Sequence, residues 1–472
     1  MRAGTSAMFP SAPRPADAPK FEPPTGGIAL GSSLRADKPA GTIALTGARL
    51  LTMTGDGAGA IDNGTIVVEG DRIVAVGPAA AVTIPAGARR IDVAGKTIMP
   101  GLIDAHAHGP QGVGDLVPQQ NWALVQALAL GTTTLHDPSS QASAIFAAAE
   151  HQRAGAMLAP RIFSTGEIVY DAKSPSVYAR IDSYEDALAH VRRIKAQGGI
   201  SIKNYNQPRR EQRQQLAQAA RAENMLDVAE GGSLFGMDMN LIADGVSTVE
   251  NNVPVKRFYE DVLQFWAGSQ TNNTPTLVVT YGWLAGDPDW RQATNVWENP
   301  LMVHTPPKEL LAATARRVTA PEWAFVDEDS AREANRLAKR GVKVAIGAHC
   351  QQAGIAAHWE LWSFVRGGMT PVESLRAGTI AAAQSLGMKR DIGSLEAGKL
   401  ADLLVLDADP SADIRNSDKI ARVMLGGRPY DARTMNEVET GTSRRLPYWW
   451  EGGPGGSAAP GNATTFSDGT ED

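Results

Sequence analysis

From Thr97 to about Leu386 the chain alternates short strand-like runs with helical ones, and this alternation constrains the fold more than any other feature. Eight runs carry the strand signal: Thr97–His106, Thr132–His136, Arg161–Ile168, Ile200–Tyr205, Met225–Ala229, Val246–Glu250, Thr276–Thr280 and Lys343–His349. Helical patterns fall between most of them. Tyr184–Lys195 places Ala187, Leu188, Val191 and Ile194 at helical spacing, and Arg209–Ala222 and Pro321–Lys339 read the same way. Strands alternating with helices predict βα units and a parallel sheet. Eight units fit a TIM-type (β/α)8 barrel, roughly 250 residues with modest insertions.

The flanks have a different texture. Thr42–Leu45, Thr65–Glu69, Arg72–Val76 and Arg90–Val93 precede the alternation, and Ala401–Leu406 and Ile420–Leu425 follow it. Glu69-Gly70-Asp71 and Gly426-Gly427 are turn signals. The expected class is therefore α/β, with a small discontinuous β-sandwich domain built from residues 41–97 plus 395–435. A barrel over 98–394 is inserted between its halves, with a leader over 1–40 and a tail over 436–472.

Composition removes several functions. With 45 basic and 51 acidic residues the net charge is −6, which gives no footprint for nucleic acid. Unbroken apolar runs such as Ala144–Ala149 fall far short of the ~20 residues of a membrane helix. The single cysteine, Cys350, excludes an internal disulfide and a multi-cysteine zinc site. The first 39 residues show no signal peptide, so a cytoplasmic protein is expected, or a secreted or periplasmic one if the N-terminus is processed.

Chemistry on a (β/α)8 barrel sits at the C-terminal ends of the strands. Three of the predicted strands end in histidine: His106 and His108 after the first, His136 after the second and His349 after the eighth. In Met99-Pro100-Gly101-Leu102-Ile103-Asp104-Ala105-His106-Ala107-His108, residues i and i+2 of a strand share a face, so both imidazoles can hold one metal ion.

These residues resemble the amidohydrolase superfamily, in its imidazolonepropionase-like and prolidase-like branch. The stretch Asp391–Asp407, containing Gly393-Ser394-Leu395-Glu396-Ala397-Gly398-Lys399-Leu400-Ala401-Asp402, looks like the return of that family from barrel to small β-sandwich. Lys38–Met53, Asn204–Glu211 and Glu230–Phe235 look closer still to a subgroup usually fused to a TolB-like propeller. The resemblance implies one or two divalent ions, most often zinc. It also implies that His106 and His108 are ligands and that Lys203 is carboxylated and bridging.

Three positions depart from the family pattern. The fifth strand offers Asp227 or Glu230 in place of histidine, with Glu230 the better match to the propeller-fused subgroup. Asn251 stands at the sixth where relatives have histidine. His349 stands at the eighth in place of aspartate, as a ligand or general base. His136 and Tyr205 are candidates for steadying an oxyanion. Arg209, Arg210, Tyr281 and Asn251 are candidates for substrate contact. The expected function is metal-dependent hydrolysis of amide, lactam or peptide C–N bonds in small molecules, by a homo-oligomer. The rival expectation is an altered member with an incomplete second metal position, acting as a binding or assembly module.

Overall fold

The computed structural model describes residues 35–109, 111–112, 116–172, 179–231, 234–280, 289–315, 320–349, 351–441 and 443–451. Every strand and helix named below belongs to the compact unit Ala36–Asp472. Both ends of the described chain build one sheet. Its strands are β1 (Thr42–Leu51), β2 (Ala60–Glu69), β3 (Arg72–Pro78), β4 (Arg89–Asp92) and β5 (Thr97–Pro100). Its late strands are β13 (Leu403–Leu406), β14 (Ile420–Leu425) and β15 (Arg428–Asp431). The order is β15-β14-β13-β5-β1-β2-β3, with β4 also paired to β1. Glu69 pairs with Arg72, so Gly70-Asp71 is the two-residue turn that the sequence predicts. Ile43, Leu45, Leu50, Ile66, Ile98, Leu403 and Val405 form a buried cluster on this sheet.

Between these ends lie parallel strands alternating with helices. The first group is β6 (Leu102–Asp104), β7 (Thr132–Asp137) and β8 (Arg161–Ser164). The second is β9 (Ser201–Asn204), β10 (Leu226–Glu230), β11 (Thr248–Glu250) and β12 (Asn272–Thr274). Backbone bonds link the groups: Val169 bridges Asn204, Asn273 bridges Val344, and Ala105 N donates to Ile346 O at 3.0 Å. The largest core cluster lies against the helices Trp122–Ala129 and Ile355–Arg366, where Trp359, Phe364 and Trp266 are completely buried. Burying each large apolar side chain contributes ~1.5–3 kcal/mol.

Four expectations need correction. The first run is two strands. Pro100 ends β5 in the mixed sheet, and Gly101 passes the chain to β6 at a point where a Cβ would lie 2.1 Å from Thr133 Oγ1. The third run stops at Ser164, because Gly166 takes a left-handed φ of +65°. The seventh strand is Asn272–Thr274, whereas Leu277–Val279 is a 3-10 turn after Thr276 at φ +43°. Its polar residues are satisfied inside, with Asn273 Nδ2 donating to Val249 O at 3.1 Å, so a hydrophobic criterion misses them. The eighth run is an extended segment, held by Asn273 and Ala105, rather than a regular strand.

Bidentate pairing joins the two kinds of sheet. Arg161 on β8 donates to Asp402 at 2.7 and 3.1 Å, and Gly426 N donates to the same carboxylate at 2.7 Å. Among the described residues no helix is long and apolar enough to cross a membrane.

Candidate metal centre

Three of the four strand-end histidines predicted from sequence converge. The ligand atoms of His106, His108 and His349 all lie within 4.8 Å of one another. His106 and His108 stand just past β6 rather than on it, yet their Nε2 atoms are 3.0 Å apart. Asp104 explains this. Its Oδ1 accepts the backbone N–H groups of His106 at 3.2 Å and Ala348 at 3.0 Å, which clamps the two histidine-bearing segments together. His349 N donates to His106 O at 2.8 Å, and His349 itself takes φ +51°. Gly347 permits the approach: a Cβ there would lie 2.8 Å from the Cβ of His106.

Each of the first two imidazoles is held at Nδ1 by a carboxylate. His106 Nδ1 lies 2.5 Å from Glu250 Oε2, and His108 Nδ1 lies 3.3 Å from Asp137 Oδ1. Glu250 also accepts from Thr248 Oγ1 at 2.8 Å. A carboxylate on Nδ1 leaves Nε2 as the free lone pair and raises ligand basicity. Burial, assisted by the charge of Lys203, pushes His106 well below the ordinary imidazole range. Burial does the same to His349, with His108 and then Lys203 adding to it. Both are therefore neutral ligands-in-waiting at pH 7. Burial raises Asp104 to about 6 and Glu250 to about 7.

Lys203, on β9, is buried and ion-paired to Glu230 at the end of β10. Val228 is the register partner of Lys203, so Glu230, two residues on, shares its face. Asn251 follows β11 at φ +66° and donates to Glu230 Oε1 at 3.0 Å, while Thr276 Oγ1 donates to Asn251 Oδ1 at 2.7 Å. Asn251 is thus the support of Glu230.

Comparison with known proteins places this arrangement. Residues 300–430 match the family model described as Amidohydrolase family. A 5-methylthioadenosine/S-adenosylhomocysteine deaminase of Symbiobacterium thermophilum is 25% identical over 426 residues, covering 82% of this chain and 90% of the relative. The chain belongs to the amidohydrolase superfamily. An imidazolonepropionase of Sphingopyxis alaskensis is 23% identical over 394 residues, 78% of this chain and 92% of its own. A solved Xaa-Pro dipeptidase superposes with a TM-score of 0.63 at 19% identity, over 83% of this chain and 100% of that one, which shows the shared fold.

The donor set of this superfamily member fits a divalent ion. Three imidazoles converge, two of them with carboxylate backing, and the Lys203–Glu230 pair adds a nitrogen and a carboxylate. Zinc accepts such nitrogen and carboxylate ligands.

Other predicted residues lie differently. His136 is completely buried, with Nδ1 3.1 Å from Ala105 O and Nε2 2.7 Å from Ser201 Oγ, and burial lowers it to about 4. Both of its ring nitrogens are engaged by the protein. Tyr205 packs edge-on against Tyr170, and burial together with the nearby Glu230 raises its phenol. Arg210 donates to Asp244 at 2.6 Å, and Arg209 donates to Ile181 O at 3.1 Å, so both arginines brace the helix Arg210–Ala222. Tyr281 and Cys350 lie outside the described residues.

Sequence reading gave the supporting acids no role. Glu250, Asp137, Asp104 and the buried Glu360, which accepts from Val278 N at 2.8 Å, organise the site. The available signal was position, since three of them flank or end a predicted strand.

Proposed function

We propose that the chain is a metal-dependent hydrolase of amide, lactam or peptide C–N bonds in small molecules. The observation that carries this reading is the convergence of His106, His108 and His349, with Glu250 and Asp137 behind the first two. His106 and His108 would hold the ion, with Lys203, once carboxylated, as a further ligand beside them. A bound zinc-type ion would polarise the scissile carbonyl and bring the pKa of water toward neutrality.

The remaining chemistry falls to the chain's own groups. Among the described residues no carboxylate bonds to the His349 ring, whereas His106 and His108 each have one, so His349 is the imidazole whose ring is left open to the water. It takes the proton lost by water and returns it to the departing nitrogen. The water oxygen ends on the acyl carbon and the C–N bond breaks, so the hydrolysis balances. Tyr205, with its raised pKa, keeps its phenolic proton for donation to a developing oxyanion.

The fold assignment belongs to the same reading. Strands β6–β12 and the segment 343–349 make one (β/α)8 barrel. Residues 41–97 and 395–435 make the β-sandwich beside it.

Elemental analysis and a panel of blocked dipeptides and N-acyl amino acids test the proposal. Bound metal and turnover, both lost in His106→Ala and His108→Ala, are expected. Absence of bound metal with undiminished turnover in those variants overturns it. A second reading, a binding module without turnover, draws on Asn251, whose amide is committed to Glu230 and Thr276. Large gains of metal and activity in Asn251→His would favour that decayed-site reading.

A further inference from the structure

A pocket of about 40 Å³ lies against the metal centre, between the segment after β6 and the helices Trp122–Ala129 and Ile355–Arg366. Ala107, Ala123, Ala127, Ala353 and Ala357 line it, His108 forms one side, and Asp104, Asn121, Thr132 and Gln352 add polar groups to the wall. Five alanines from two helices and two connecting segments keep the space open, because any larger aliphatic side chain at these positions would fill it. Gln111 also lines the pocket. Its side chain is buried and its Oε1 has no hydrogen-bond partner. An unpaired buried acceptor is costly, so the pocket is complete only with a donor in it.

The size sets the occupant. Benzene, with six carbons, occupies a cavity of about 150 Å³. At that ratio a pocket of about 40 Å³ takes about two non-hydrogen atoms. The alanine methyl groups favour an uncharged occupant, since burying an unpaired ammonium or carboxylate against them is costly. The remaining chemistry is a methyl or ethyl group adjoining a neutral N–H or O–H.

We propose that this pocket is a substrate subsite for a methyl or ethyl side chain with its adjoining amide N–H, which donates to Gln111 Oε1. The inference rests on the hydrolase reading, because His108 brings the occupant beside the groups that would attack the scissile bond. The substrate class is then an N-acylated amino-acid amide with a short side chain.

Two measurements test it. In the first, kcat/KM is compared for N-acetyl amides of alanine, 2-aminobutyrate, leucine and phenylalanine. The alanine and 2-aminobutyrate compounds should exceed phenylalanine by tenfold or more. Ala127→Leu, or Ala123→Val should the first fold poorly, should bring the ratio within about twofold at unchanged metal content. In the second, crystals of the holoprotein are soaked in ethanol. Ethanol should occupy the pocket of the wild type with its hydroxyl on Gln111 Oε1 and be absent from the filled variant. If no amide is turned over, the hydrolase reading falls and the soak still decides the subsite. An empty wild-type pocket after soaking, or a side-chain preference unchanged by Ala127→Leu, overturns the proposal.

Discussion

Glu250 Oε2 lies 2.5 Å from His106 Nδ1, and both side chains are buried. This contact fixes the tautomer and the aim of the imidazole most central to the site. Glu250→Gln keeps an acceptor and loses the charge, whereas Glu250→Ala loses both. Zinc affinity, measured by competition with a chromophoric chelator, should fall ~10-fold in the first and ~100-fold in the second. Asp137→Asn should act on His108 in the same direction. Unchanged affinity in all three would remove the carboxylates from the metal-supporting role.

Gly347 is a steric prediction. A Cβ there would lie 2.8 Å from His106 Cβ and Thr274 Cγ2 and 2.9 Å from Thr276 Cγ2. Gly347→Ala should displace His106 and lower metal content while the protein remains folded. Elemental analysis together with circular dichroism checks this.

Lys203 and Glu230 are ion-paired, so the ammonium form of the lysine is the one opposite this carboxylate. A carbamate there would face a like charge, and a cation must be present to hold both. With 13C-labelled bicarbonate, a carbamate signal should appear in the zinc-loaded protein and be absent from the metal-free protein. It should be absent from Lys203→Arg under both conditions. A signal of equal strength without metal would contradict this coupling.

His304, which is not among the residues of the site, gives a pH-dependent prediction. Burial, helped by the charge of Arg445, lowers its pKa from 6.5 to about 4, and Tyr448 Oη lies 3.3 Å from its Nδ1. The unfolded chain takes up this proton before the folded one does. The stabilising effect is therefore fully present above pH 6.5 and is lost as pH falls toward about 4. The shift corresponds to about 3 kcal/mol. Urea denaturation at pH 7.5 and pH 4.5 should show the loss in the wild type and a smaller one in His304→Gln.

The histidines were legible in the sequence because their placement at strand ends depends on local periodicity, and β-branched runs mark those strands well. What supports the histidines was not. Glu250 meets His106 across 144 positions, and no local pattern encodes that contact. Asn272-Asn273-Thr274 escaped as a strand because its side chains bond inside the protein instead of being apolar. Arg209 and Arg210 read as possible ligand contacts, yet their partners are Ile181 and Asp244, brought near only by the packing of neighbouring helices. Asn251 looked like a missing ligand, and its bonds to Glu230 and Thr276 show a residue chosen for an αL corner with two partners.

The passage from β5 through Gly101 to β6 also sets an order of events during synthesis. β5 lies between β1 and β13, and β13 begins only at Leu403. At ~5–20 residues per second, a ribosome needs roughly 15 to 60 seconds to travel from Pro100 to Leu403. Throughout that interval the strand leading into His106 and His108 has an open edge. The nascent chain is therefore exposed to aggregation and to chaperone capture at the segment that later delivers its metal ligands.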